Sequence, residues 1–158
     1  MTLINIIVNY EKILERIYTE SGYTAMARSN IGISSELSDS MAATEEDKRV
    51  LENNIISGAK EAAVIITRYM TPCSIDISRT SQNNAIEKIE LGFTLPGNYP
   101  TEIITTLEQC IEDFITTHAL QQWMMIMKPD ETSLVAMRMQ SEAVRMREIL
   151  TARKRPTT

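Results

Sequence analysis

His118 is the only histidine of the chain, and it is the natural first candidate for chemistry. A general base needs a positioned partner, and a metal site needs three or four ligands. The neighbours of His118 at helical spacing are Phe114, Ile115, Gln121 and Gln122, none of them a good ligand. It therefore reads as a packed or half-buried structural histidine. Cys73 and Cys110 form no CxxC pair and read as two small buried hydrophobes. The acidic groups Glu45-Glu46-Asp47 and Glu108/Glu112-Asp113 lack the loop spacing of a calcium site. The first fits a helix start and the second a solvated helix face. Glycine-rich nucleotide loops and nucleophile-elbow motifs are absent. The expectation is a chain with no catalytic residue, no metal and no cofactor, and so not an enzyme.

A different chemistry collects at the C-terminus. Arg138, Arg145, Arg147, Arg153, Lys154 and Arg155 face only Glu142 and Glu148 between positions 138 and 155. Six cations against two carboxylates leave +4 there, so the remaining chain carries −9 of the total of −5. Arginine dominates the set, and its planar donors suit carboxylate or phosphate partners. Three readings stand side by side: ordinary complementarity to a helix C-terminus, a basic tail reaching an acidic protein surface, or direct nucleic-acid contact. No aromatic interleaving for base stacking accompanies the cations.

The elements that must carry these residues follow from length and pattern. A chain of 158 residues with 43% hydrophobic residues suits one folded domain. Its net charge argues against a protein coated in positive charge for nucleic acid. No apolar run is long enough for a membrane span, the start does not resemble a secretory signal, and no Asn-x-Ser/Thr acceptor occurs. Reducing cytosol, or a particle assembled there, is the expected setting.

Ile7, Tyr10, Leu14 and Ile17 predict a first helix from Leu3 to about Thr19, ending near Ser21-Gly22. A long polar connection follows to Ala43, with a short helical turn at 35–41. Thr44 then caps a second helix, with Asp47 in a near-match to a capping box, and Leu51, Ile55, Ala59, Ala62, Ile66 and Tyr69 form its stripe before Pro72. Gly58 would let another helix approach closely. Cys73, Ile75 and Ile77 alternate with polar residues, as do Ile89, Leu91, Phe93 and Leu95, across a polar loop at 81–84. This period of two predicts a hairpin that must pack on the helices or pair with a sheet in another subunit. A third helix opens near Pro100 and runs to Lys128-Pro129. A fourth starts with Asp130 as cap and Glu131 in its first turn. The predicted fold is mainly α: one domain over 1–155, a bundle of about four helices with a β-hairpin near 73–95 between the second and third long helices, and a basic helix and tail over 138–158.

Ten methionines are present, and Met124, Met125 and Met127 crowd around Trp123. They suit either a soft helix–helix core or a plastic subunit interface. On the second reading Trp123, Met124 and Met127, with Ile75 and Ile77 of the hairpin, are the candidate contact residues between subunits.

The order of elements resembles the small head–tail connector (adaptor) proteins of tailed bacteriophages. The likeness rests on Tyr18-Thr19-Glu20-Ser21-Gly22-Tyr23-Thr24 after the first helix and on Thr44-Glu45-Glu46-Asp47 before Leu51 and an alanine-rich helix. It also rests on His118-Ala119-Leu120-Gln121-Gln122-Trp123-Met124 running into Lys128-Pro129-Asp130, and on the Arg-Lys-Arg-Pro ending. The resemblance implies a structural virion protein, assembled in the host cytoplasm. It would form a homo-oligomeric ring, often of twelve copies, at the head–tail junction. Portal and tail proteins would be its partners, DNA would pass through the lumen without sequence-specific binding, and no membrane would be involved. A terminal segment of such proteins often inserts into the portal or a neighbour, which here would be Arg145–Arg155. The alternative is a small helical regulatory or nucleic-acid-binding module acting through the basic tail. A third reading is an interaction protein whose helical groove takes a partner helix.

Overall fold

The structure is a computed structural model, and it describes residues 2–30, 43, 45–70, 72–127, 129 and 132–156. Among these residues the chain is mainly helical, with four α-helices and a small antiparallel sheet of three strands. The strands are β1 (Thr2–Val8), β2 (Ser74–Arg79) and β3 (Ile86–Leu95), in the spatial order β1-β3-β2. The helices are α1 (Tyr10–Asn30), α2 (Lys48–Tyr69), α3 (Ile104–Met127) and α4 (Ser133–Leu150).

The first element corrects the sequence expectation. Thr2–Val8 is a strand, not the start of a helix. Ile4, Ile6, Ile7 and Val8 are β-branched, which favours a pleated surface over a helix. Ile6 and Val8 turn into the core while Leu3, Asn5 and Ile7 face out. Ile7, assigned to a helical stripe, is therefore exposed. Tyr10, Leu14 and Ile17 keep their predicted places on α1, joined by buried Ile13. The helix starts where Asn9 Oδ1 accepts the Lys12 amide at 3.2 Å, an N-cap contact.

The helix also runs past Ser21-Gly22 to Asn30, where a loop was expected. Glycine weakens a helix interior without being obliged to end it. Ser21 is fully buried; its hydroxyl donates to the Tyr18 carbonyl and accepts the Ala43 amide at 3.0 Å. That contact pins the returning chain to α1. The expected helical turn at 35–41, the Thr44 cap, and the Lys128, Asp130 and Glu131 parts of the last corner lie outside the described residues.

Further along, Glu45–Asp47 form a 3-10 turn and α2 begins at Lys48, so Asp47 stands at the N-cap and not three residues inside the helix. The predicted stripe of α2 is buried from Leu51 to Ile66. At Gly58 the helix meets α3 so closely that a Cβ would sit 3.2 Å from the Ile115 carbonyl oxygen and 3.4 Å from the His118 Cβ. Thr67 donates its hydroxyl to the Ala63 carbonyl and accepts the Cys73 amide, fastening the crossing from α2 into β2. β2 and β3 pair antiparallel around a turn in which Asn84 takes φ 56°, a left-handed conformation that asparagine tolerates.

The inner face of β3 presents Ile89, Leu91, Phe93 and Leu95 to the core, as the alternation required. The core fills the space between this sheet face and the helices, with α3 packed against α1, α2 and α4.

Candidate functional site

The helices that meet at α3 bring charges together along one seam. On α1, Lys12 pairs with Glu112 at 3.1 Å, and Arg16 pairs with Asp113 at 2.8 Å. One turn further, Glu20 receives a two-pronged contact from Arg138 of α4, at 2.8 and 3.2 Å. Arg138 also donates its Nε to Glu142 at 3.2 Å. The planar guanidinium fork matches a carboxylate in this way, whereas a lysine would offer a single point charge.

The bonds to Glu20 and then to Glu142 hold Arg138 firmly protonated, pushing its pKa up against the opposing effect of burial. Burial pushes the Glu142 carboxyl up, against the pull of Thr117 and Arg138. Arg138, expected as part of a partner-binding set, is thus committed within the chain to Glu20, 118 positions away. It ties α4 to α1 and is not a free contact residue.

The other five cations sit differently. Arg145, Arg147, Arg153, Lys154 and Arg155 are all exposed. Arg153 folds back to donate to the carbonyls of Leu150 and Ala152, at 3.0 and 2.7 Å, satisfying the end of α4. The backbone beyond α4 is fastened as well: the Lys154 amide donates to the Asn98 carbonyl at 2.7 Å, and the Tyr99 hydroxyl donates to the Ile149 carbonyl at 2.9 Å. The basic segment therefore runs along the corner that follows β3, its backbone held through Lys154 and the side chains of Lys154 and Arg155 in solvent. Arg153 does the helix-end work of the first reading, while Arg145, Arg147, Lys154 and Arg155 are exposed, with Arg145 and Arg147 about 200° apart around α4.

The residues expected at a subunit contact divide. Trp123 and Met124 are 2% and 3% exposed, buried in the chain's own core, so they offer no surface to a neighbour in this fold. Met127 is half-buried, and Ile75 and Ile77 are half-buried on the inner side of β2 against that core. The outward apolar residues on the last turn of α3 are instead Met125 and Ile126.

His118 lies buried beside Phe114, ring centroids 6.1 Å apart. Burial pushes its pKa below the ordinary value, and the charge of Glu61 opposes that shift. Cys110 is buried, Cys73 is half-buried, and both thiols are free; burial raises Cys73 to about 11. Among the described residues no cluster of three or more His, Cys, Asp or Glu could hold a metal ion, and no helix is long and apolar enough to cross a membrane.

Two surface features escaped the sequence reading. A polar cleft of about 660 Å³ lies between the start of α2 and the β2–β3 turn, lined by Lys48, Arg49, Glu52, Arg79 and Asn84 among others. Within it Arg79 donates to the Asn84 carbonyl at 2.9 Å, and Glu52 accepts the Tyr10 hydroxyl at 3.1 Å. A shallow apolar groove of about 490 Å³ runs between α2 and β2, past Val64 and Ile75. Only the turn residues around Asn84 could have pointed to the cleft from sequence, because Lys48 and Arg79 meet there through the tertiary fold alone. The chain matches no known protein-family model, no curated protein and no solved structure.

Proposed function

We propose that this chain is a structural virion protein that forms a ring at a phage head–tail junction and docks to the portal through its basic C-terminal segment. The observation that carries the proposal is the charge layout: a body of net −9 bearing exposed cations, Arg145, Arg147, Lys154 and Arg155, on and beyond its last helix. The resemblance of the later part of the chain to small connector proteins, a long helix running through a proline corner into a basic last helix, supports the same reading. The opening strand and the longer α1 depart from the expected order. An acidic ring would present a repulsive wall to DNA and let it slide past, while the exposed cations at its C-terminal end would face an acidic neighbour.

The test compares the full chain with a variant carrying Arg147→Gln, Lys154→Gln and Arg155→Gln. These exposed positions leave the core and the bond to Asn98 intact. Electron microscopy should show rings, and co-sedimentation with the portal protein encoded beside this chain should be lost in the variant. No association with that portal by either protein would overturn the docking. Strong binding to duplex DNA that falls steeply with salt would favour the nucleic-acid module in its place.

A further inference from the structure

Among the described residues, the sheet ends in an edge without the usual protection. β1 pairs on one side with β3, and among the described residues nothing hydrogen-bonds to its outer side. Natural edge strands are commonly blunted by charge, proline or a bulge. β2, at the opposite edge, carries Asp76 and Arg79 and a register break at Ser78/Arg79. β1 has neither charge, proline nor break over its seven residues, and its outward Leu3 and Ile7 are 68% and 59% exposed.

The five central residues of β1, Leu3 to Ile7, are symmetric in polarity about Asn5. On the open face Leu3 and Ile7 flank it at equal distance; on the core face Ile4 and Ile6 do the same. Antiparallel pairing of this strand with itself, centred on Asn5, sets Leu3 opposite Ile7, Ile4 opposite Ile6, and amide opposite amide. These central pairs match in polarity, with opposed Cβ atoms about 4.5–5.5 Å apart, and only the outermost pair, Thr2 with Val8, does not. No charge repels across the axis. An unrelated peptide would have no need of this symmetry, whereas a two-fold contact requires a self-complementary patch.

We infer that the outer edge of β1 is the docking surface for a second copy of this chain, the two strands joining antiparallel across a two-fold axis at Asn5 into one six-stranded sheet. This goes beyond the connector reading and stands apart from it, because the pair forms or fails whether or not the chain enters a ring.

The experiment uses the full chain. Light scattering across a dilution series should give twice the mass of the 17.9 kDa chain, or an even multiple of it. Leu3→Lys and Ile7→Lys, at exposed positions, should halve that mass with the helical circular dichroism unchanged. In a Cys73→Ser background, Asn5→Cys should crosslink to a covalent dimer on mild oxidation, while Ser78→Cys on the other edge strand should not. A monomer at all concentrations, a mass unmoved by both lysine variants, or an Asn5→Cys chain that crosslinks no better than Ser78→Cys would each overturn the inference.

Discussion

Arg138 and His118 show what single side chains do in this protein. Arg138→Met removes three charge-assisted contacts to Glu20 and Glu142. The side chain is 40% exposed, so solvent screening discounts the pair. The expected loss is about 1–2 kcal/mol, measured by urea unfolding. His118 has the opposite character, since its buried ring prefers to be neutral. Its folded pKa lies below the ordinary 6.5, so below that pH the unfolded chain binds more protons than the folded one. Stability should then fall as pH drops through 6.5 toward the lower folded value, with Glu61 softening the effect. Unfolding midpoints of wild type and His118→Gln across this range should diverge in slope, the variant being flatter.

At the scale of elements, two helical glycines make opposite predictions. Gly58 sits against the backbone of Ile115, while a Cβ at Gly22 would meet nothing within 4 Å. Gly58→Val should force α2 and α3 apart at a cost of about 2–3 kcal/mol. Gly22→Ala should stabilise by up to about 1 kcal/mol, through helix propensity alone. Thermal melts of the two variants should move in opposite directions. The value of Gly58 as a point of close approach was legible from its place among alanines on a continuous stripe. The β2–β3 pairing was legible too, because period two over Ile89–Leu95 has no helical rival. β1 was not, since a short apolar run fits either period and Tyr10, Leu14 and Ile17 lent it a helical continuation. The bond between Arg138 and Glu20 could not be read either: their separation in sequence says nothing of a meeting that depends on α1 and α4 both lying against α3.

For the molecule as a whole, the helical part of the basic C-terminal segment is built into the domain. Ala143, Met146 and Leu150 of α4 are core residues, so the cations from Arg138 to Arg147 ride on an element the fold needs. Ending the chain after Arg138 should abolish cooperative unfolding. Ending it after Ala152 removes the Lys154–Asn98 backbone hydrogen bond and the two exposed Arg153 contacts at the end of α4, together worth about 1–2 kcal/mol. That shorter chain should melt within several degrees of the full one, as calorimetry would show. The two truncations separate the part of the basic segment that supports the fold from the part free to meet a partner.

The order β1-β3-β2 also has a consequence in time. The first strand made is completed only by the last one made, Ile86–Leu95. At roughly 5–20 residues per second, a nascent β1 waits on the order of 5–15 s before its ladder partner has been synthesised. During that interval an uncharged, β-branched segment is exposed without its ladder partner. Neighbouring ribosomes on one message would then carry matching unpaired strands, which makes the waiting strand a point where early capture by a chaperone, or by another nascent copy, can act.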